Sequence, residues 1–303
     1  IKNLDGLNEL PNLSTLGLYF CSNLQNIDGI KGMESIAKLD ISFGGSPNLE
    51  VLKELKGLTD LRFYSLYIDS GKLNIIKELS ALTNLDLSDT YIYQNTDFFQ
   101  RLTALTSLSL SSCKKLQNIH GLKNLVGLKY LDLSWSDSLN NLEGISVLTN
   151  LETLDISYCY GLFEIQAIKG LKNLRLLDLS DCKNLIKLDG VESLSNLEEL
   201  AHLEELNLGN YIWKEGSQIK TNNLSRNTII NISNIKLPAN LKIIHLCDLG
   251  IDNADFIYDL KSLERIELSD NNLSEIIISN PNLSMLGLSG NKFNELKESK
   301  ICI

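Results

Sequence analysis

Leucine and isoleucine recur along most of the chain at a fixed spacing, with polar residues between them. The pattern LxxLxL, in which a single residue separates the last two leucines, begins at regular intervals. Its starts are Leu13, Ile36, Leu61, Leu82, Leu105, Leu128, Leu151 and Leu174, which gives steps of 23, 25, 21, 23, 23, 23 and 23 residues. A period of this length is the signature of a solenoid built from stacked turns.

Within each turn the apolar spacing changes once. Between Ile165 and Leu177 an apolar residue falls at every third position, and from Leu177 to Leu179 at every second. The first spacing favours a helical or irregular return segment, and the second favours a β-strand. Each turn is therefore predicted to be a short strand plus a return, and stacking buries the leucines at roughly 1.5 to 3 kcal/mol per side chain.

The period loosens after Leu197, where one LEEL segment is followed at once by a second, so the next frame is predicted to start at Leu203. Residues 211–240 are the least regular part of the chain. The frame resumes at Leu241, Leu263 and Leu283. We predict a single domain over residues 1–303 with about twelve turns, irregular or inserted turns at 197–240, and a C-terminal tail at 297–303.

The repeat wording resembles the leucine-rich-repeat family over residues 4–296. The pattern LxxLxLxx followed by Cys or Asn is seen in LDISYCYGL from Leu154 and LDLSDCKNL from Leu177. Returns such as NIDGIKGMESI and NIHGLKNLVGL resemble the SDS22-like and bacterial internalin-like subclass, and LDLSxC also resembles repeats of plant immune receptors. The resemblance implies an α/β fold, a right-handed horseshoe solenoid with a parallel concave β-sheet and short 3₁₀ or helical convex segments. It also implies protein binding on the concave face.

An acidic residue stands between the two strand leucines of three consecutive turns, at Asp132, Asp155 and Asp178. Because side chains alternate along a strand, these acids are predicted to point out of the sheet. Carboxylates on neighbouring strands, about 4.8 Å apart, repel by about 1 kcal/mol in water, and the adjacent serines offer hydroxyl donors. The same place in the other turns is assigned to Gly17, Asp40, Ser65, Asp86, Ser109, Asn207, His245, Glu267 and Gly287.

The acidic strip has three interpretations. The first is a solvated, hydrogen-bonded strip that keeps the sheet soluble. The second is a groove for a partner with a cationic patch, and the third is a calcium site. Hard cations prefer clustered carboxylates, but the sequence contains no DxDxDG loop.

Aromatic residues fall at outward positions of the same frame. Trp135 and Tyr158 flank the acidic strip, where rings beside acids suit a partner's lysine or arginine. The alternative is that the rings pack laterally along the sheet. The predicted partner-binding residues are Asp132, Asp155, Asp178, Trp135, Tyr158, Tyr130, Asp181, Phe43, Phe63 and Tyr67.

The cysteines share a position as well. Cys21, Cys113, Cys159 and Cys182 stand at the ninth place of the frame and are predicted to be small buried thiols. A bridge between Cys159 and Cys182 is geometrically conceivable at about 5 Å. Cys247, at an outward position, is predicted to be the more reactive thiol.

Charge and motifs narrow the function classes. A net charge of -10 without a basic block argues against nucleic acid and anionic membranes as partners. The histidines lie far apart and no nucleophile has a base at a recognisable spacing, so we predict neither an enzyme nor a cofactor or metal. The sequence therefore predicts a non-catalytic module that binds another protein on its concave face.

The alternative function is self-assembly through the end faces and residues 211–240, including Tyr211 and Trp213. The first residues, IKNLDGLNELPNL, do not have the basic and apolar pattern of a signal sequence. The sequence also contains no apolar run long enough to span a membrane. The sequence does not decide between a secreted or cell-surface location and a cytoplasmic one.

Overall fold

A computed structural model describes residues 1–42, 47–66, 70–92, 96–187, 197, 200–209, 211–214, 217–220, 236–293 and 301–302. The chain divides into two compact units, an N-terminal unit of residues 1–151 and a C-terminal unit of residues 152–303. Each unit contains six short parallel strands in which successive repeats pair with one another, and this confirms the predicted fold class.

In the N-terminal unit the parallel strands pair in chain order and in a single register. Each strand is three residues long, because the apolar spacing of two that favours a strand occurs only once in each repeat. The strands are β1 (Thr15–Gly17), β2 (Lys38–Asp40), β3 (Asp60–Arg62), β4 (Asn84–Asp86), β5 (Ser107–Ser109) and β6 (Tyr130–Asp132).

In the C-terminal unit the parallel strands follow the order β7-β8-β9-β12-β13-β15. They are β7 (Thr153–Asp155), β8 (Leu176–Asp178), β9 (Glu205–Asn207), β12 (Ile243–His245), β13 (Arg265–Glu267) and β15 (Met285–Gly287). Strands β10 (Tyr211–Lys214) and β11 (Ser217–Lys220) form a separate antiparallel pair. Strands β14 (Ile278–Ser279) and β16 (Ile301–Cys302) form a short parallel pair.

The return segments are mostly single 3₁₀ turns, as the spacing of three indicates. They are Leu7–Glu9, Asp28–Ile30, Glu50–Glu54, Asn74–Glu78, Asp97–Arg101, His120–Asn124, Ile145–Val147, Gln166–Gly170 and Asp255–Ile257. Two short α-helices, α1 (Ser70–Leu73) and α2 (Lys183–Lys187), complete the described helical elements.

The core of each unit is the stacked leucine row. Leu131 in the first unit and Leu177 in the second are fully buried, as are the residues at the same register on neighbouring strands. Asp178 lies between two buried leucines and is half-buried, so the predicted alternation across the strand is confirmed. Hydrogen bonds from Cys182 Sγ and Asn271 Nδ2 to backbone carbonyls close the strand ends at the ninth position.

The third turn lies in a different frame from the one that the sequence predicts. Leu61, taken as the first leucine of the pattern, pairs with Leu39 and is therefore its second leucine, so the turn reads Leu58, Leu61, Phe63. Phe63 is fully buried, and its prediction as an outward, partner-facing ring is wrong. Arg62 rather than Ser65 occupies the outward position beside Asp40 and Asp86.

Candidate functional site

The repeated carboxylate closes the end of its own strand. Asp155 Oδ1 accepts hydrogen bonds from the backbone N–H of Ser157 at 2.9 Å and from its hydroxyl at 2.6 Å. Asp178 and Ser180 repeat this pair at 2.8 and 2.6 Å. The same two bonds join Asp86 to Ser88 and Asp132 to Ser134. One carboxylate oxygen thus satisfies backbone and hydroxyl donors locally, and the other is left for contacts across the sheet.

The N-terminal column is the row of outward residues Gly17, Asp40, Arg62, Asp86, Ser109 and Asp132, one from each strand. Arg62 lies between two acids, with Nη1 3.8 Å from Asp40 Oδ2 and Nε 2.9 Å from Asp86 Oδ2. A guanidinium between two carboxylates offsets their mutual repulsion. Arg62 therefore balances part of the negative charge of this column from within.

Asp132 ends the N-terminal column beside two exposed rings. Its Oδ2 accepts a hydrogen bond from the Ser109 hydroxyl at 3.1 Å. Tyr130 and Trp135 are 39% and 36% exposed. The backbone of Trp135 is left-handed with φ of 61°, which costs a residue with a side chain roughly 1 to 2 kcal/mol. Phe43 and Tyr67, the other predicted rings of this unit, lie outside the described residues.

The C-terminal column is the row Asp155, Asp178, Asn207, His245, Glu267 and Gly287, again one residue from each paired strand. Asn207 Nδ2 donates a hydrogen bond to Asp178 Oδ2 at 3.1 Å. The column contains no lysine or arginine. Asp178, in the part of the chain that the structure describes, forms no ion pair with one, and its direct polar partners are Ser180 and Asn207.

A buried acid outside the column, Asp181, lies just past the end of β8. Asp181 is 2% exposed and interacts with the phenol of Tyr158. Burial raises the pKa of Asp181, and the opposing effects of Tyr158 and Lys183 are smaller. Burial also raises the pKa of Asp178, more than the hydrogen bonds from Ser180 lower it. The C-terminal column and Asp181 therefore hold two carboxyl groups in surroundings that disfavour their charge.

Tyr158 occupies a different environment from the predicted one. Its side chain is only 1% exposed, so its prediction as an exposed anchor is wrong. The ring meets that of Tyr160 edge to face, with 6.4 Å between centroids. Burial, followed by the nearby Asp181 carboxyl, raises the pKa of the Tyr158 phenol. Tyr158 thus packs laterally, the alternative that the sequence left open for the aromatic residues.

The cysteines whose side chains the structure describes are unbridged, and all are buried except Cys21, which is half-buried and so departs from its prediction as a buried thiol. Cys113, Cys159 and Cys182 are free and fully buried, and burial raises the pKa of Cys113 to about 12. The prediction that Cys247 is accessible and reactive is wrong, because it is 1% exposed and burial raises its pKa. Cys159 and Cys182 form no disulfide.

The described ranges contain no group of three or more His, Cys, Asp or Glu side chains placed to hold a metal ion. In those same ranges, every helix is too short or too polar to cross a membrane.

The fold, in contrast to the site, has solved counterparts. No protein-family model matches the chain, and no curated protein matches it. An internalin, inlF from Listeria monocytogenes, is similar with a TM-score of 0.64 and 20% identity, over 96% of this chain and 84% of that one. The functional domain of InlJ from Listeria monocytogenes, described as including a cysteine ladder, is similar with a TM-score of 0.60 and 17% identity, over 96% and 66%.

These likenesses show that the chain has the leucine-rich-repeat fold. At such identities they carry no site residue across, so the columns have to be interpreted from their own chemistry.

The pairing register of the strands explains which site residues were predicted correctly from the sequence and which were missed. Asp155 and Asp178 lie side by side on paired strands, as predicted. Arg62 was missed because Phe63 replaces a leucine in its turn. His245 was set aside as an isolated histidine, although its place in the frame already put it in one row with Asp178 and Glu267.

Proposed function

We propose that the chain is a non-catalytic recognition module whose C-terminal column binds cationic side chains of a partner protein. The observation that carries this proposal is the contrast between the two columns. In the first, Arg62 lies within ion-pair distance of both Asp40 and Asp86, whereas Asp178 in the second has no lysine or arginine ion pair within the described residues. A lysine or arginine of a partner protein would supply the C-terminal column with the positive charge that Arg62 supplies in the N-terminal column.

The electrostatic cost supports the same proposal. A carboxyl whose pKa is raised by burial binds its proton more tightly in the folded chain than in the unfolded one. Its ionised form therefore lowers stability, and this loss grows as the pH rises above about 4, the ordinary pKa of an aspartate. Asp178 and Asp181 both have such raised pKa values. Side chains that cost stability without serving catalysis are typical of binding surfaces.

Exposed rings add a second kind of contact. Tyr130 and Trp135 are the half-exposed aromatic residues around β6 in the N-terminal unit. Tyrosine and tryptophan are enriched among the residues that contribute most to protein interfaces. We expect this surface to accept aliphatic or cationic side chains of a partner.

A binding titration with a defined cationic probe tests the proposal. The probe is a blocked peptide of lysine, arginine, glycine and serine, with a glutamate-containing peptide of the same length as the negative control. The variant, called the column variant, carries Asp155→Asn and Asp178→Asn in the column and Asp181→Asn just past the end of β8. Asparagine keeps a carbonyl oxygen for the serine donors at positions 157 and 180, so the strand ends are retained. We expect at least about 30-fold weaker binding of the basic peptide, or about 2 kcal/mol.

A charge-matched control separates the column from the net charge. Glu164→Gln, Asp252→Asn and Asp259→Asn remove three exposed carboxylates of the same unit outside the column. This control should bind the basic peptide within about threefold of the wild type at 0.15 M salt, where distant surface charges are screened. The column variant should unfold at the same temperature as the wild type or higher. Equal losses in both triple variants would show that only net charge matters and would overturn the proposal.

Self-assembly is the second candidate function, and one observation favours it. Strands β10 and β11 form a two-stranded antiparallel sheet with no third strand among the described residues. The outer edges of such a pair offer backbone donors and acceptors for a strand of another copy. Self-assembly would appear as a mass that rises with concentration in light scattering, unchanged by the column variant. A constant monomer mass would exclude it.

A further inference from the structure

His245 is a buried titratable group in the middle of the C-terminal column. It ends strand β12 and is in register with Asn207 of β9 and Glu267 of β13. Its side chain is only 4% exposed. Its Nε2 atom lies 3.7 Å from Oε1 of Glu205, close enough for an ion pair when the imidazole is protonated.

The groups around His245 are mainly anionic. Glu205 approaches it from β9, and Glu267 stands beside it on β13, held by the Ser269 backbone N–H at 3.1 Å and folded over Gly287. Asp178 of β8 is near enough for the imidazole to lower the pKa of that carboxyl, against the larger effect of burial.

The other ionisable groups on the neighbouring elements are the cations Lys242 and Arg265, the thiol Cys247 and the acids Glu204, Glu264, Asp248 and Asp270. Lys242, on the segment leading into β12, is paired with Glu204 at 3.3 Å. Arg265 of β13 pairs in register with Ile243, two residues before His245. Beyond the end of the strand lie the buried Cys247 and the acid Asp248.

We propose that the protonation state of His245 controls the binding of a cationic partner at the C-terminal column. This inference rests on the proposed function of that column. Imidazole side chains change charge between about pH 5 and 8. A neutral His245 leaves the column with a net negative charge, which attracts a lysine or arginine. A protonated His245 places a cation beside Glu205, Glu267 and Asp178, and so repeats from within the arrangement that Arg62 makes permanently in the N-terminal column.

The direction of the pH effect follows from these charges. Acidification adds a positive charge to the column and reduces its attraction for a cationic side chain. One unit charge at about 8 Å and an intermediate dielectric constant changes affinity by about tenfold. Affinity for the basic peptide should therefore fall about tenfold between pH 7.5 and 5.5. A partner would be bound in neutral surroundings and released in acidic ones.

The test uses the full chain, the basic peptide of the preceding titration, and the variant His245→Gln. Glutamine keeps a polar side chain but does not titrate. The wild type should lose about tenfold in affinity from pH 7.5 to 5.5, whereas the variant should change by less than about twofold. If both lose affinity equally, the carboxyls titrate rather than His245 and the inference is overturned. Failure of the wild type to bind at either pH overturns the proposed function as well.

A measurement on the wild type alone avoids dependence on the folding of the variant. The chain has three histidines, so the imidazole signals in a proton NMR titration can be assigned one by one. Because linkage is reciprocal, saturation with the basic peptide should move the titration midpoint of His245 down by about one pH unit. His120, which lies in the N-terminal unit, should not move and serves as the internal reference. An unchanged His245 midpoint overturns the inference even when the peptide binds.

Discussion

Replacing Leu177 with alanine will lower the free energy of unfolding by about 2 to 5 kcal/mol, because it leaves a cavity in a core that no nearby side chain can fill. Leu177 is fully buried at the centre of β8, in register with Leu154 on one side and Leu206 on the other. Both neighbours are held by their own strand pairs and are not free to move into the space. Denaturant unfolding followed by circular dichroism measures the loss.

The adjacent residue supplies the matched control. Leu176 has the same side chain on the same strand but points out of the core and is half-buried. Leu176→Ala should therefore cost less than about 1.5 kcal/mol, since less apolar area leaves contact with protein. If the two alanine variants lose the same stability, the alternation on which both columns depend is incorrect.

The second large effect is expected at Gly121, where adjacent return segments approach each other. A Cβ atom built on Gly121 would lie 1.9 Å from the backbone oxygen of Thr96, and the Gly121 N–H donates to Thr96 Oγ1 at 3.0 Å. A backbone oxygen has no rotamer by which to move away. Gly121→Ala should therefore cost about 3 kcal/mol or more as the two segments are forced apart.

Gly127→Ala is the control for this prediction. The nearest atom to a Cβ at Gly127 is the Leu105 oxygen at 3.6 Å, an ordinary contact distance. This variant should change stability by less than about 1 kcal/mol, because a less flexible unfolded chain offsets any small loss in the folded one. Comparable losses for the two glycine variants in thermal unfolding would contradict the close approach at Gly121.

Much of the fold follows from the period of the sequence. Two apolar spacings, of three residues in the returns and of two in the strands, can be identified directly in the sequence. They determine the strand positions, the buried leucine rows and the outward direction of Asp155 and Asp178. The third turn shows where this reasoning fails. A frame defined by leucine alone does not recognise Phe63 as a buried position of the repeat. The predicted start of this turn is therefore three residues too late, and Arg62 is not recognised as the outward residue. The sequence thus placed Ser65 between Asp40 and Asp86, where the structure has the cation Arg62.

Burial beyond the strand ends could not be predicted from alternation. The eighth residue of the turns, including Tyr158 and Asp181, has a left-handed backbone with φ of 58° and 55°. Alternation of side chains stops where the extended backbone stops, so the exposure of these residues depends on three-dimensional neighbours. Cys247 was misjudged for a related reason. It lies within the strand frame but packs against the Gly209 backbone, which only the paired turns reveal.

The most direct test of the central claim is a selection from an unbiased library of displayed twelve-residue peptides at pH 7.5. The library is selected on the wild type, on the variant lacking the Asp155, Asp178 and Asp181 charges, and on the charge-matched control. If the C-terminal column recognises cations, lysine and arginine will be enriched on the wild type and on the control, and not on the column variant. Equal enrichment of basic peptides on all three proteins, or no basic enrichment on the wild type, would contradict recognition of a cationic partner by the C-terminal column.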